Sequence, residues 1–283
     1  MTPARVRGHA ADPADPLARL TARIAQAPRR TALCLDFDGV LAPIVDDPAT
    51  SALTDGLAPT LADLAGRLAA LALISGRPAS FLADRAGAVH AAGARLLGLY
   101  GMEHWAEGRS RAHPGAAGWQ AQVATATEQL ARRFAGSGGV TVEDKGLGVA
   151  VHWRNAGDER ARSEAERAVT AAVREQAQRT GLALEHGKLV LELRPPVAWD
   201  KGDGVRSVAQ DADAQLVVYA GDDLGDLPAF AAVRDLGGTA LAVDHGAETD
   251  PRVLAAGDVV LHGTDGVARW LHGLRDALRS RSA

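Results

Sequence analysis

Leu33-Cys34-Leu35-Asp36-Phe37-Asp38-Gly39-Val40-Leu41 is an apolar strand that ends in two aspartates one residue apart, with a glycine directly behind them. In a strand, side chains at i and i+2 share a face, so Asp36 and Asp38 project together from the carboxyl end. Two close carboxylates repel. The pair persists where a divalent cation sits between them or where one carries a proton, and both conditions suit phosphoryl transfer. An EF-hand calcium loop is excluded, because counting from Asp36 its glycine arrives early and Val40 and Leu41 stand where polar ligands belong.

Outward from this strand, apolar segments and amphipathic stretches alternate. Leu17–Ala27 has helical spacing and leads into strand Ala32–Leu35; Asp55–Leu68 reads as a helix, and Leu71–Ile74 as a strand that stops at Ser75-Gly76-Arg77-Pro78. A helix resumes at Pro78, and Arg95–Gly101 is a further apolar segment. The alternation specifies the α/β class, a Rossmann-like parallel sheet covered on both faces. Glycine, histidine and charged residues interrupt it over Gly101–Gly118, which reads as a linker. Then follow a helix over Gly118–Phe134, strands at Thr141–Glu143 and Leu147–Arg154, a long charged helix over Asp158–Thr180, and Leu182–His186 paired with Lys188–Leu193 through a His-Gly turn. This is an inserted α+β domain. After Arg194-Pro195-Pro196 the alternation returns, with helices at Gly202–Ala212, Asp226–Asp235 and Gly266–Arg279 and strands at Gln215–Ala220, Thr239–Val243 and Val259–Leu261. The expected organisation is a lead-in over 1–30, a core from 31–107 and 195–283, and an α+β cap over 108–194.

With 283 residues, 47% hydrophobic and only 4% aromatic, the chain carries a large core of Ala, Leu and Val. The formal charge of −4 gives no basic footprint for nucleic acid or an anionic membrane surface, so a small polar substrate fits better. Cys34 is a single cysteine in a buried strand, a small apolar filler consistent with a reducing cytoplasm. Residues 1–30 hold no uninterrupted apolar stretch, so neither a signal peptide nor a membrane span is expected, and the first dozen are expected to be loose. The reading requires no more than a monomer. Of 31 basic residues only Lys145, Lys188 and Lys201 are lysine, and each invites a reason why arginine would not serve.

Residues just past parallel strands face the crevice where such sheets do chemistry. Here they are Asp36 and Asp38, Ser75, Lys201, and the run Gly221-Asp222-Asp223-Leu224-Gly225-Asp226. Taken singly, each has a plain structural reading: a turn, a helix entrance, a lone lysine, a helix cap. Together and in this order they supply a carboxylate nucleophile (Asp36), an acid/base (Asp38), a phosphate hydroxyl contact (Ser75) and a compact cation (Lys201). Mg2+ suits the acidic set, with Asp36, Asp222 and the Asp38 carbonyl as ligands and Asp223 behind them.

These four segments resemble the haloacid dehalogenase-like phosphatases and, more narrowly, the trehalose-6-phosphate phosphatase family. The likeness extends from about Thr31 to His272 and includes Ile74-Ser75-Gly76-Arg77, Gly98-Leu99-Tyr100-Gly101-Met102-Glu103, Val142-Glu143-Asp144-Lys145-Gly146-Leu147, His152-Trp153-Arg154 and Leu191-Glu192-Leu193-Arg194-Pro195. The resemblance implies nucleophile Asp36, acid/base Asp38, phosphate contacts Ser75 and Lys201, metal ligands Asp36, Asp38 and Asp222, and a Mg2+-dependent hydrolysis of trehalose 6-phosphate through an aspartyl phosphate. It further implies substrate contacts from Arg77, Glu143, Lys145, Arg154 and Glu192, for which a salt-bridged sheet face is the competing explanation. Trp105 and Trp153 stack on a sugar or fill a core. Two departures stand out: Gly225 and Leu227 replace the threonine and glutamate usual in the acidic motif, and Val40 replaces a common threonine. Another phosphosugar or a phosphoglycerate ester as substrate, a phosphomutase, or a catalytically silent sugar-phosphate sensor remain as alternatives.

Overall fold

The computed structural model describes residues 15–45, 47–187 and 189–281. Along the chain these form α1 (Pro16–Gln26), β1 (Thr31–Leu35), α2 (Leu57–Ala65), β2 (Ala70–Ile74), α3 (Ala79–Ala91), β3 (Arg95–Gly98), β4 (Glu103–Ala106), β5 (Arg109–Ala112), α4 (Pro114–Ala117), α5 (Gln120–Phe134), β6 (Thr141–Asp144), β7 (Val149–His152), α6 (Glu159–Thr180), β8 (Ala183–Gly187), β9 (Val190–Arg194), α7 (Lys201–Asp211), β10 (Leu216–Gly221), α8 (Leu227–Asp235), β11 (Thr239–Asp244), α9 (Pro251–Ala256), β12 (Val259–His262) and α10 (Gly263–Ser280). Two compact units result. Among the described residues, the first takes those from 15 to 74, Arg85–Arg95 and those from 201 to 281; the second takes Ser75–Asp84 and those from 96 to 200.

In the first unit five strands run parallel in the order β12-β11-β10-β1-β2. Every residue of β1, β2 and β10 is buried, as continuous apolar runs require when helices cover both faces of a parallel sheet. From β1 the chain steps to β2 on one side, and from β10 to β11 and β12 on the other. Right-handed crossovers therefore put α2 on one face and α8 and α9 on the opposite one. Accordingly α10 packs on α2 and α1, while α7 packs on α8. The order reverses between β1 and β10, and a crevice at the carboxyl ends of the strands opens at such a switch point. Cys34 lies fully buried in β1, and burial pushes its thiol up to about 12. It behaves as the expected filler.

The second unit holds the antiparallel sheet β6-β7-β9-β8. Its core joins Val123, Ala126 and Leu130 of α5 and Val169 and Val173 of α6 to Val149, Val151, Leu191 and Leu193 of the sheet. Helix α6 begins where Asp158 accepts the Ala161 amide (2.9 Å) and ends where Gly181 turns left-handed at φ +74°.

One expectation needs correction, and one element was not foreseen. Residues 101–118 are not a linker: β4 and β5 form an antiparallel hairpin, β4 also pairs with β3, and α4 follows. The polar composition that suggested a linker is that of a short, partly exposed hairpin, whose alternation is too short to register. The short helix α9 also escaped notice, although Asp250-Pro251 is a helix start whose aspartate accepts the Arg252 amide. Pairing of β8 with β9 follows the expected hairpin, but Lys188 of its turn and the first dozen residues lie outside the described residues. No described helix is long and apolar enough to cross a membrane.

The α8–β11 turn offers a sharp contrast between adjacent glycines. Gly237 sits at φ +68° in open space, whereas a Cβ on Gly238 would strike the Val217 carbonyl of β10. Gly237→Ala is expected to cost about 1 kcal/mol and Gly238→Ala about 3 kcal/mol or more in urea titrations. Equal midpoints for the two variants would contradict this packing.

Candidate active site

At the switch point of the first unit, Asp36 follows β1 and Asp222 follows β10. The Asp36 amide donates to the Ala220 carbonyl (2.9 Å), extending the β1–β10 pairing to the edge of the crevice. Lys201, the first residue of α7, sends its Nζ to Asp36 Oδ2 (2.8 Å) and to Asp226 Oδ1 (2.6 Å). All three side chains are buried. Asp226 also receives the Tyr219 hydroxyl (2.6 Å) and the backbone amides of Asp222 (2.9 Å) and Asp223 (3.1 Å). Asp36 Oδ1 receives the Phe37 amide. Asp38 is half-buried, and its Oδ1 accepts the Ser51 hydroxyl at 2.7 Å.

The stretch after β1 is a tight reversal: Leu41 and Ala42 donate to the Phe37 carbonyl and Gly39 donates to Ala42. Gly39 takes φ +74°, and any Cβ there would collide with the Asp222 carboxylate. The glycine behind the aspartates is thus required twice, by its dihedral and by the close approach of Asp222. His245, just past β11, places Nε2 2.7 Å from the Gly39 carbonyl and 3.8 Å from Asp222 Oδ2.

Carboxylates outnumber cations here. Burial pushes Asp36 up, Lys201 pulls it down, and Asp226 and Asp222 push it up again, leaving it well above the usual range. Burial and then the charges of Asp226 and Asp223 push Asp222 up to about 8. Asp226 alone is held below its ordinary value, because Lys201 and the Tyr219 hydrogen bond outweigh its burial. Lys201 is raised despite its burial by Asp226 and Asp36, and so stays an ammonium. Asp36, Asp223 and Asp226 each offer an oxygen within 4.8 Å of the others, and Asp222 stands outside that trio against Gly39. Hard oxygen donors with more negative charge than one lysine offsets are the donor set a small divalent cation takes.

Ser75 and Arg77 belong to the second unit. Buried Ser75 accepts the Arg77 amide on Oγ (3.1 Å), its amide donates to Leu97 (3.0 Å) and its carbonyl accepts from Tyr100 (2.9 Å). The Arg77 guanidinium lies over the Phe81 ring at 4.7 Å. In the four-stranded sheet, Glu143, Ala150, Glu192 and Glu185 form one register row across β6, β7, β9 and β8. Lys145 Nζ meets Glu192 Oε2 at 2.8 Å, and His152 Nε2 meets Glu143 Oε2 at 2.9 Å. The His152 hydrogen bond and the charges of Lys145, His152 and Arg77 outweigh partial burial and lower the Glu143 carboxyl. Arg154 is exposed just past β7. Trp153 fills the core of this unit.

Sequence reasoning gave no role to five residues. Asp226 and Tyr219 form the buried end of the lysine network; the spacing Asp222-x-x-x-Asp226 over one helical turn was the available signal. Ser51 and His245 reach the loop after β1 from distant parts of the chain and left no local trace. Glu103 is buried and raised by that burial, and its Oε1 accepts the amide of Ala79 at the start of α3 (2.5 Å).

The trehalose-phosphatase family model matches residues 34–258. A trehalose-phosphate phosphatase of Mycobacterium marinum is 37% identical over 227 residues, 78% of this chain and 56% of that protein. A Mycobacterium tuberculosis protein described as an uncharacterized glycosyl hydrolase is 39% identical over 236 residues, 80% of this chain and 17% of its own length. The chain therefore spans about half the length, or less, of these curated relatives. Among solved structures, a trehalose-6-phosphate phosphatase related protein has a TM-score of 0.70 at 22% identity, covering 89% of this chain and 100% of that one. The C-terminal domain of the C. albicans trehalose-6-phosphate phosphatase has a TM-score of 0.66 at 20% identity, covering 95% and 99%. Since the family model spans well over half of the sequence, the chain belongs to the trehalose-phosphatase family.

Proposed function

We propose that the protein is a Mg2+-dependent phosphatase that hydrolyses trehalose 6-phosphate to trehalose and phosphate in the cytoplasm. The observation that carries the chemistry is the buried Asp36–Lys201–Asp226 array at the switch point, with its uncompensated carboxylates. In this reading Asp36 attacks phosphorus, the P–O bond to the sugar breaks, and Asp38 gives its proton to the departing alkoxide. Asp38 then takes a proton from the water that attacks the aspartyl phosphate, which restores the Asp36 carboxylate. Lys201 holds Asp36 in place and offsets charge on the transferred oxygens, with Ser75 donating its hydroxyl to phosphate. Asp36, the Asp38 carbonyl, Asp222 and Asp223 are the groups that would hold Mg2+, which would supply charge neutralisation on the phosphoryl oxygens, while Asp226 holds Lys201.

The sugar is assigned to the second unit, taken as the cap. Family membership supports this, and so does the name of the Mycobacterium marinum relative. The clustering of Arg77, Glu143, Lys145 and Glu192 adds a physical reason: carboxylates accept the paired hydroxyls of a sugar and leave unsatisfied charge when these are missing. Arg154 is included through its motif.

Asp36→Asn is expected to lower turnover by roughly four orders of magnitude or more in a phosphate-release assay, since the attacking oxygen loses its charge. Persistent activity would reject the nucleophile. Glu192→Ala is expected to raise the KM for trehalose 6-phosphate about tenfold, with a smaller loss on p-nitrophenyl phosphate. Equal losses on both esters would reject the sugar-binding role.

A third expectation follows from Asp222. Its raised carboxyl stabilises the metal-free protein fully below the ordinary carboxylate range, and that contribution is lost as pH rises through about 8. Mg2+ favours the ionised form. The rise in melting temperature on replacing EDTA by Mg2+ should therefore be larger near about pH 8.5 than near about pH 6. A rise that is equal or smaller at the higher pH would contradict the electrostatics of the site.

A further inference from the structure

We propose that His152 is a positioning residue for the sugar: its Nε2 holds one oxygen of the Glu143 carboxylate and so presents the other to a substrate hydroxyl. The inference rests on the sugar-binding role given to Glu143 above. Along β7 the side chains alternate between two faces. Val149, Val151 and Trp153 enter the core of this unit, so Ala150 and His152 belong to the opposite face. Register sets Glu143 beside Ala150 and Thr141 beside His152. His152 is therefore the diagonal neighbour of Glu143, a spacing that long side chains can span. Here they do, with Nε2 at 2.9 Å from Glu143 Oε2. An ionised carboxylate only accepts, so Nε2 carries the hydrogen in the neutral ring as in the protonated one.

The same row holds its second carboxylate in a matching way. Glu192, on the other side of Ala150, meets Lys145 Nζ through Oε2 at 2.8 Å. Lys145 precedes β7 and His152 is the last residue of that strand, so the two carboxylates are gripped from its opposite ends. The His152 hydrogen bond is also the largest effect on the Glu143 carboxyl and lowers it, helped by the charges of Lys145, His152 and Arg77.

The side chains of His152 and Glu143 remain 39% and 46% exposed, so a ligand can reach the carboxylate. A pair this exposed adds little to folding stability. What it supplies is orientation. Without His152 the Glu143 carboxylate rotates freely, and the sugar must order it on binding.

The test reads KM and kcat by phosphate release under Mg2+ on trehalose 6-phosphate and on p-nitrophenyl phosphate, which has no sugar hydroxyls. His152→Ala is expected to raise KM for the sugar ester about fivefold with kcat within about twofold, and to move KM for the aryl ester less than about twofold. The melting temperature should fall by no more than about 2 °C. His152→Gln carries an N–H donor of similar reach and should bring KM back to within about twofold of the wild type. In a Glu143→Ala background the His152→Ala change should add less than about twofold, because the carboxylate it orients is gone. An unchanged KM in His152→Ala beside a raised one in Glu143→Ala would overturn the proposal and leave the sugar-binding role standing. Equal effects on both esters, a glutamine variant no better than alanine, or a full effect in the Glu143→Ala background would overturn it too. An unchanged KM in Glu143→Ala itself, or a wild type that does not hydrolyse trehalose 6-phosphate, would overturn that role and the proposal together.

Discussion

One ammonium buried between two carboxylates governs the first unit. Removing each of these ions from water costs several kcal/mol, and attraction repays that only when the geometry is close and the remaining hydrogen-bond capacity is met. Here both conditions hold, since Lys201 lies within 2.8 Å of Asp36 and 2.6 Å of Asp226, and Asp226 takes a phenol and two amides besides. The array joins the end of β1, the start of α7 and the turn after β10. Losing the lysine leaves two buried carboxylates facing each other, so fold and chemistry share one electrostatic dependence. The scarcity of lysine in the sequence has its reason at this position: a flat guanidinium cannot place a single point charge against both carboxylates in so closed a space.

How far this was legible in the sequence depends on where each interaction partner sits along the chain. The buried strands announce themselves as continuous apolar runs, and Asp36, Lys201 and Asp222 fall just past strands or at a helix start, where local pattern is enough. The hairpin of β4 and β5 did not announce itself, because partly exposed strands of four residues have too little alternation to separate from loop. Ser51 and His245 act across 13 and 206 residues, and a serine after Asp-Pro-Ala-Thr looks like any turn. Asp226 was visible as the last acid of the run after β10 and as the start of a helix; that it is the fully buried hub of the lysine network is a tertiary fact.

The second unit shows the same division between pattern and tertiary detail in a sheet. Along β9 the residues alternate, with Leu191 and Leu193 buried in the core while Val190, Glu192 and Arg194 lie less buried between them. Register then aligns Glu192 with Ala150 and, through it, Glu143. A one-residue slip would turn every one of these carboxylates into the apolar core, so the hydrophobic pattern that builds the sheet also fixes the row of acids on its other face. Pairing of Glu192 with Lys145 and of Glu143 with His152 keeps that row from repelling itself and holds the carboxylates in place.

The departures in the acidic motif raise the question of what supports Asp222 and Asp223 when Gly225 and Leu227 stand where threonine and glutamate are usual. The turn answers through its backbone. Asp223 and Asp226 form a reciprocal cap, each side chain accepting the other's amide, and the Gly225 amide adds a further bond to Asp223. A Cβ at 225 would come within 3.1 Å of Asp223 Oδ1, tighter than ordinary contact, so the glycine leaves room for the aspartate to fold back onto its own turn. Gly221 is equally constrained, since a Cβ there would meet the Asp226 carboxylate. Asp226 draws the amides of residues 222 and 223 onto one oxygen and Lys201 onto the other, so the turn is held by main-chain donors together with the buried lysine. Such donors are fixed as soon as β10 and α8 are, which places the acidic turn under the control of the same sheet that orients Asp36.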